Sequence, residues 1–175
     1  MRVDEQKQIL TFQCSEQIMG LSIEYLDEII ENRRLTRVPG IPSYIRGLLN
    51  LRGTIVPVLD LKERLWNEGT EAEFQSCILV TRISPRGTES ILGLLVDAVD
   101  QVLSLESSDI NPPPDLGAVK AEYLQAVAKI NNDFVLLLDP EMILSLSEVE
   151  TVDEVVQKAA EHPQQLQEKS DLEGR

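Results

Sequence analysis

Apolar residues recur in short runs, five to eight positions long, broken by glycine, proline and charge, which is the spacing of strands and not of long helices. The clearest run is Ile45-Arg46-Gly47-Leu48-Leu49-Asn50-Leu51-Arg52-Gly53-Thr54-Ile55-Val56-Pro57-Val58-Leu59-Asp60-Leu61. Leu48, Leu49 and Leu51 lead into Arg52-Gly53, and Ile55, Val56, Val58 and Leu59 lead out. This is the pattern of a β-hairpin whose turn needs the positive φ that Gly53 adopts without cost. Arg52 is therefore expected at an exposed hairpin end. Pro57 has no N–H for a ladder, which predicts an edge or bulged strand. Asp60 is placed as N-cap of a short helix from Leu61 to Trp66, with Glu63 at the reciprocal capping-box position.

The same reading along the rest of the chain gives mostly strands. Gln8 to Cys14 and Gln17 to Ser22 form a hairpin, with Leu10, Phe12 and Cys14 alternating against Ile9, Thr11 and Gln13. Ile23, Leu26 and Ile30 have helical spacing, yet Glu28-Ile29-Ile30-Glu31 fits a strand equally, so one helical turn followed by a strand is expected. Asn32 to Pro42 is a loop. Ser76 to Ile83 and Ser90 to Val96 flank the turn signal Pro85-Arg86-Gly87-Thr88, and Ala98 to Leu105 extends the sheet. Asn111-Pro112-Pro113-Pro114 places Ser107 to Ala121 in a surface loop. A last hairpin, Glu122 to Ile130 with Asp133 to Asp139, turns at Asn131-Asn132, both tolerant of positive φ.

Laying the first Asp-capped hairpin on the last superposes Asp60 on Asp139, Leu59 on Leu138, Val56 on Val135, and the turn Arg52-Gly53 on Asn131-Asn132. In the second copy Pro140 takes the favoured first helical position. Two similarly built β-subdomains follow, although apolar strand-turn-strand patterns are common enough to coincide by chance. From Ser147 the chain turns acidic. Val149, Val152, Val155 and Val156 keep helical spacing, so the start of this tail is expected to pack on the domain as an amphipathic helix, with disorder from Gln164 onward.

Charge narrows the partners. Lys+Arg 16 against Asp+Glu 30 gives −14 over 175 residues, which opposes nucleic acid and anionic lipid alike. The first residues lack the apolar core of a signal peptide, and no apolar run reaches membrane-helix length, so a cytoplasmic protein is expected. Cys14 and Cys77 read as reduced, buried thiols in strands. His162 is the single histidine, which argues against a metal site or a His-based nucleophile pair. No phosphate loop, nucleophile elbow or zinc-peptidase motif occurs. Asp60, Asp139 and Asp97 fit caps and turns better than general acid–base work. The chain is read as a non-enzyme that needs no cofactor.

The segments Gly20-Leu21-Ser22-Ile23, Leu26-Asp27-Glu28-Ile29-Ile30, Thr36-Arg37-Val38-Pro39, Asn50-Leu51-Arg52-Gly53 and Val56-Pro57-Val58-Leu59-Asp60-Leu61 resemble the signature of the CheW family, coupling proteins of bacterial chemosensory arrays. Gly93-Leu94-Leu95-Val96-Asp97-Ala98-Val99, Glu122-Tyr123-Leu124 and Phe134-Val135-Leu136-Leu137-Leu138-Asp139 fall where that family has its second half. The resemblance implies a mainly β, CheW-like fold of two intertwined five-stranded SH3-like barrels over residues 8–146, followed by an acidic helix and tail over 147–175. It also implies an adaptor that joins the cytoplasmic tip of a chemoreceptor to the regulatory domain of a CheA-type histidine kinase, held at membrane arrays through these partners.

Receptor contact is carried onto Arg52 and Glu28, with Leu26 and Val99 lining the groove between subdomains. Ile29, Val38 and Ile41 are candidates for the kinase face, or else ordinary core. Gly47 and Gly93 read as backbone permissions. Arg33, Lys62 and Arg64 read as solvated charge, whereas Arg52 reads as an anchor for a carboxylate. Arg52 and Glu28 either pair with each other or face the receptor separately. A second reading keeps the fold and moves it to a non-flagellar chemosensory pathway. A third, a small-molecule barrel or carboxylate enzyme, requires a deep pocket with convergent polar groups.

Overall fold

The computed structural model describes residues 6–69, 76–85, 87–113 and 121–161. Its strands are β1 (Lys7–Cys14), β2 (Gln17–Ser22), β3 (Leu26–Glu31), β4 (Ile45–Leu51), β5 (Thr54–Asp60), β6 (Cys77–Ile83), β7 (Ser90–Val96), β8 (Ala98–Leu105), β9 (Ile110–Asn111), β10 (Leu124–Ile130) and β11 (Asp133–Leu138). Two α-helices, α1 (Leu61–Trp66) and α2 (Leu146–Glu161), join them. One sheet has the order β8-β1-β2-β11-β10-β9 and the other β3-β6-β7-β5-β4. The chain opens in the first sheet, builds the whole of the second, and returns to complete the first. That threading is the intertwining that the family resemblance implies.

Each sheet curls until its edges share one interior. In the second sheet, Ile30 of β3 and Leu49 of β4, on opposite edges, meet in one apolar cluster with Val56, Val58, Ile78, Val80 and Leu95. Thr36, just beyond β3, exchanges backbone hydrogen bonds of 2.9 and 2.8 Å with Leu48 and closes the ring. In the first sheet, Leu105 at one edge and Ile110 near the other meet over Ile9, Ala128, Val135 and Leu137. A third cluster lies between the barrels. Leu10, Phe12 and Leu21 of the first meet Leu59, Leu79 and Leu94 of the second there. Successive residues such as Val58 and Leu59 thus enter different cores, so these strands read as unbroken apolar runs.

Three expectations are corrected by this topology. Pro57 lies in β5, an interior strand, because the parallel pairing of β5 with β7 begins only at Val58↔Gly93 and leaves the proline beyond the ladder. The Ser107-to-Ala121 stretch is not all loop: Ile110–Asn111 pairs with β10 and gives the first sheet its sixth strand, while residues 114–120 lie outside the described ones. The capping box at Asp60 is one-sided. Its carboxylate accepts from Glu63 N at 3.3 Å, but its own N–H already donates to Tyr44 O at 2.8 Å and leaves Glu63 nothing to reciprocate.

The internal repeat is real at atomic detail. Asp139 N donates to Tyr123 O at 2.8 Å, and the Asp139 carboxylate caps Glu141 N at 3.1 Å, as Asp60 does with Tyr44 and Glu63. Both hairpins carry a register shift at their base and a turn with two positive φ values: Arg52 51° and Gly53 83°, Asn131 49° and Asn132 70°. The first hairpin of the chain turns the same way through Ser15 and Glu16. Helix α2 forms where the valine spacing placed it, with Val149 and Val152 buried in the inter-barrel cluster and Val156 packed against it. The segment from Gln164 lies outside the described residues.

Candidate functional site: the rim of the second barrel

Two-residue hairpins favour turns in which both central residues take positive φ, since that twist matches the strands. In the β4–β5 turn this forces Arg52, a non-glycine residue, into the left-handed region, while Gly53 N donates to Asn50 Oδ1 at 3.1 Å. The turn thus fixes where the Arg52 side chain leaves the barrel, and that side chain stays 75% exposed. Opposite it, Glu28 on edge strand β3 accepts a hydrogen bond from Arg52 Nη2. The two candidates that sequence left either paired or separate form an ion pair across the barrel mouth, with Glu28 less exposed, at 31%.

A register shift between Leu26 and Glu28 bulges Asp27 outward from β3. There its carboxylate accepts from Arg82 Nη2 at 2.7 Å and Nε at 3.2 Å, and Arg82 also pairs with Glu89. The Arg82 guanidinium holds the Asp27 carboxyl below the usual carboxylate range. Leu26 and Val99, the proposed groove residues, are half-buried against the inter-barrel core from different sheets, Val99 opposite Phe12 in the β1–β8 ladder. Ile29 is no ordinary core residue, since it is 42% exposed on β3. Val38 and Ile41 are half-buried in the loop after β3, Ile41 against the inter-barrel core.

The carboxylates of Asp60, Asp97 and Asp139 have structural partners. Asp60 is fully buried as a helix cap with Arg46 Nη1 at 3.5 Å, and Asp97 accepts from Ser15 N at 2.9 Å to brace the first hairpin turn. Among the described residues, no group of three or more His, Cys, Asp or Glu side chains is arranged to hold a metal. Cys14 is buried and its thiol is pushed up by burial first and by Asp97 second. Cys77 is only half-buried, a correction to the expectation of two buried thiols.

Arg64 also departs from its sequence reading. Its guanidinium is not solvated charge: it lies over the rings of Tyr44 and Tyr123, at 4.5 and 5.4 Å, and its side chain is 15% exposed. Arg64 Nε donates to Ile143 O at 3.0 Å, and Nη2 to Glu148 Oε1 at 2.6 Å. Tyr44 donates its hydroxyl to Glu148 Oε2 at 2.6 Å, and Ser145 N donates to Oε1 at 2.9 Å. Burial alone would raise the Glu148 carboxyl, but the Tyr44 hydroxyl, the Ser145 N–H and Arg64 overcome it and hold it at about 2. The cluster joins the two repeat tyrosines to the start of α2. Its one local sequence signal is the S-x-x-E capping box at Ser145 and Glu148. A cavity of about 290 Å³ beside it is lined by Ser43, Tyr44, Arg64 and Trp66, but Arg64 is already engaged there.

The family model described as "CheW-like domain" matches residues 8–148, both barrels from β1 into the first turn of α2. The chain belongs to the CheW-like family. A chemotaxis protein CheW from Klebsiella aerogenes is 31% identical over 150 residues, covering 85% of this chain and 88% of the relative. One from Treponema pallidum is 28% identical over 84% of this chain and 87% of its own length. Protein FrzA of Myxococcus xanthus is 27% identical over 73% of this chain and 78% of its own. Among solved structures, the scaffolding protein TtCheW from Thermoanaerobacter tengcongensis superposes with a TM-score of 0.73 at 28% identity, covering 84% of this chain and 93% of that one. The CheW-like chain is thus a two-barrel member of the adaptor family of chemotaxis signalling, and it shares the fold of TtCheW.

Proposed function

We propose that this CheW-like chain couples chemoreceptors to a CheA-type histidine kinase by holding the receptor's cytoplasmic tip and the kinase's regulatory domain on separate faces. The observation that carries the reading is the family match across both barrels, since a coupling protein needs two faces fixed relative to each other. The shared inter-barrel core provides that rigidity. On this reading the receptor meets Arg52, Glu28, Leu26 and Val99, and the kinase domain meets Ile29, Val38 and Ile41. The exposure of Arg52 and Ile29 supports it. Coupling then requires no covalent chemistry on this chain, only contacts that favour one kinase state over the other.

The test is reconstitution. Receptor hairpin fragment, full chain and kinase are mixed pairwise and together, and kinase autophosphorylation is followed. Stimulation by receptor only when this chain is present supports the proposal, and equal stimulation without it defeats the proposal. A second reading, an adaptor of a non-flagellar chemosensory pathway, fits the same fold and family match equally.

A further inference from the structure

The chain carries −14 overall, yet the loop leaving β3 reads Asn32-Arg33-Arg34-Leu35-Thr36-Arg37-Val38, with three arginines and no acid. All three are exposed, and none of their side chains makes a hydrogen bond or ion pair among the described residues, whereas Arg46, Arg52, Arg64 and Arg82 are all paired with carboxylates. An acidic protein has abundant internal partners to offer, so three arginines within five residues, left without a carboxylate partner among the described residues, stand out as charge directed elsewhere.

Their backbone is fixed. Asn32 N donates to Ser76 O at 3.1 Å, and Asn32 Nδ2 to Ser76 Oγ at 3.1 Å. Thr36 is held by its two backbone hydrogen bonds to Leu48, and Leu35 packs against the interior of the second barrel. Arg33 and Arg34 therefore stand between two anchored residues and Arg37 directly follows the second. Cations displayed from a rigid backbone need no backbone ordering on binding, and charge complementarity raises association rate and discriminates among partners. Ile29, exposed four residues before Arg33 on the adjoining strand, and half-buried Val38 put apolar surface next to this charge, the arrangement of a protein-binding face with a polar rim.

We infer that Arg33, Arg34 and Arg37 form a preformed cationic rim that selects an acidic, apolar-centred face on the kinase regulatory domain. This rests on the adaptor reading above and adds to it the chemistry of the partner surface and the residues that set partner choice. Steering by these arginines acts on encounter more than on the final contacts, so it appears in the association rate and its salt dependence.

The experiment measures association of the full chain with the regulatory domain of its own kinase by stopped flow, between low salt and about 0.3 M NaCl, next to binding of the receptor hairpin fragment. The wild type is expected to associate roughly tenfold faster at low salt than at high salt. Arg33→Glu with Arg34→Glu is expected to slow low-salt association by about tenfold or more and to flatten the salt dependence, with an unchanged melting temperature and unchanged receptor binding. Arg33→Lys with Arg34→Lys keeps the charge and is expected to keep most of the steering. Wild-type binding with a salt-independent rate that the charge reversal leaves intact overturns the inference while sparing the adaptor reading. A wild type that does not bind the regulatory domain at all overturns both.

Discussion

Arg52 occupies a backbone conformation that glycine adopts freely and other L-residues adopt at a cost of about 1–2 kcal/mol. A strained residue kept at an exposed tip suggests that its side chain is wanted there. Arg52→Gly is therefore expected to leave the melting temperature unchanged or to raise it, because relief of strain outweighs one exposed ion pair, while receptor binding falls; denaturant melts beside pull-downs check both halves. The ion pair gives a second expectation. Exchanging the two charges, Arg52→Glu with Glu28→Arg, is expected to recover part of the receptor binding that either reversal alone removes, measured as a double-mutant cycle. Absence of any recovery would show that each residue acts on the partner independently. The hairpin end was legible because an Arg-Gly pair between apolar runs has few alternatives. The pairing was not, because Glu28 and Arg52 meet only once the sheet has curled, and nothing local in the sequence reports curvature.

At the scale of elements, α2 divides into a buried side and an anchored start. Val149 and Val152 lie in the inter-barrel core, so truncation before Val149 is expected to lower the melting temperature sharply, whereas removal of residues 164–175 is expected to leave it within a degree or two. Glu148 is the anchor. Held down at about 2 against an ordinary value of 4.5, it stabilises the docked helix fully above pH 4.5, and that contribution drains away as pH falls from 4.5 through 2. Glu148→Gln keeps the shape and removes the charge, so it is expected to lower stability at neutral pH and to make the acid side of the stability profile shallower. An unchanged profile would show that the Tyr44 and Arg64 contacts do not tie the helix down. The valine spacing made this helix visible in sequence; its docking by Arg64 was hidden, because a helix-face arginine beside lysine and glutamate looks solvated until a distant tyrosine pair encloses it.

For the molecule as a whole, period and turn chemistry revealed all but one of the strands among the described residues, and the superposition of Asp60 on Asp139 foretold the two repeats. Misread elements share one cause. Pro57 points to an edge or bulged strand and Ile110–Asn111 to a loop because strand order is a long-range property: the crossing of the chain between barrels decides which strand ends lie beyond the ladder and which short segment finds a partner. Buried on both faces, β5 and β7 gave the strongest sequence signal, while β3, exposed on one face and bulged at Asp27, gave the most ambiguous one. That ambiguous strand carries the candidate contacts Leu26, Glu28 and Ile29. A surface shaped for partners departs from the regular alternation of a core, and sequence periodicity weakens there.

The central claim is that the chain works through separate receptor and kinase faces on one rigid two-barrel body. Its most direct test is Arg52→Glu assayed in parallel against receptor hairpin fragment and kinase regulatory domain, with a thermal melt of each protein. The expected result is a folded variant, less than about 1 kcal/mol from wild type, that loses receptor binding and receptor-dependent kinase activation while retaining kinase-domain binding. A folded Arg52→Glu protein that binds the receptor fragment as the wild type does would contradict the account.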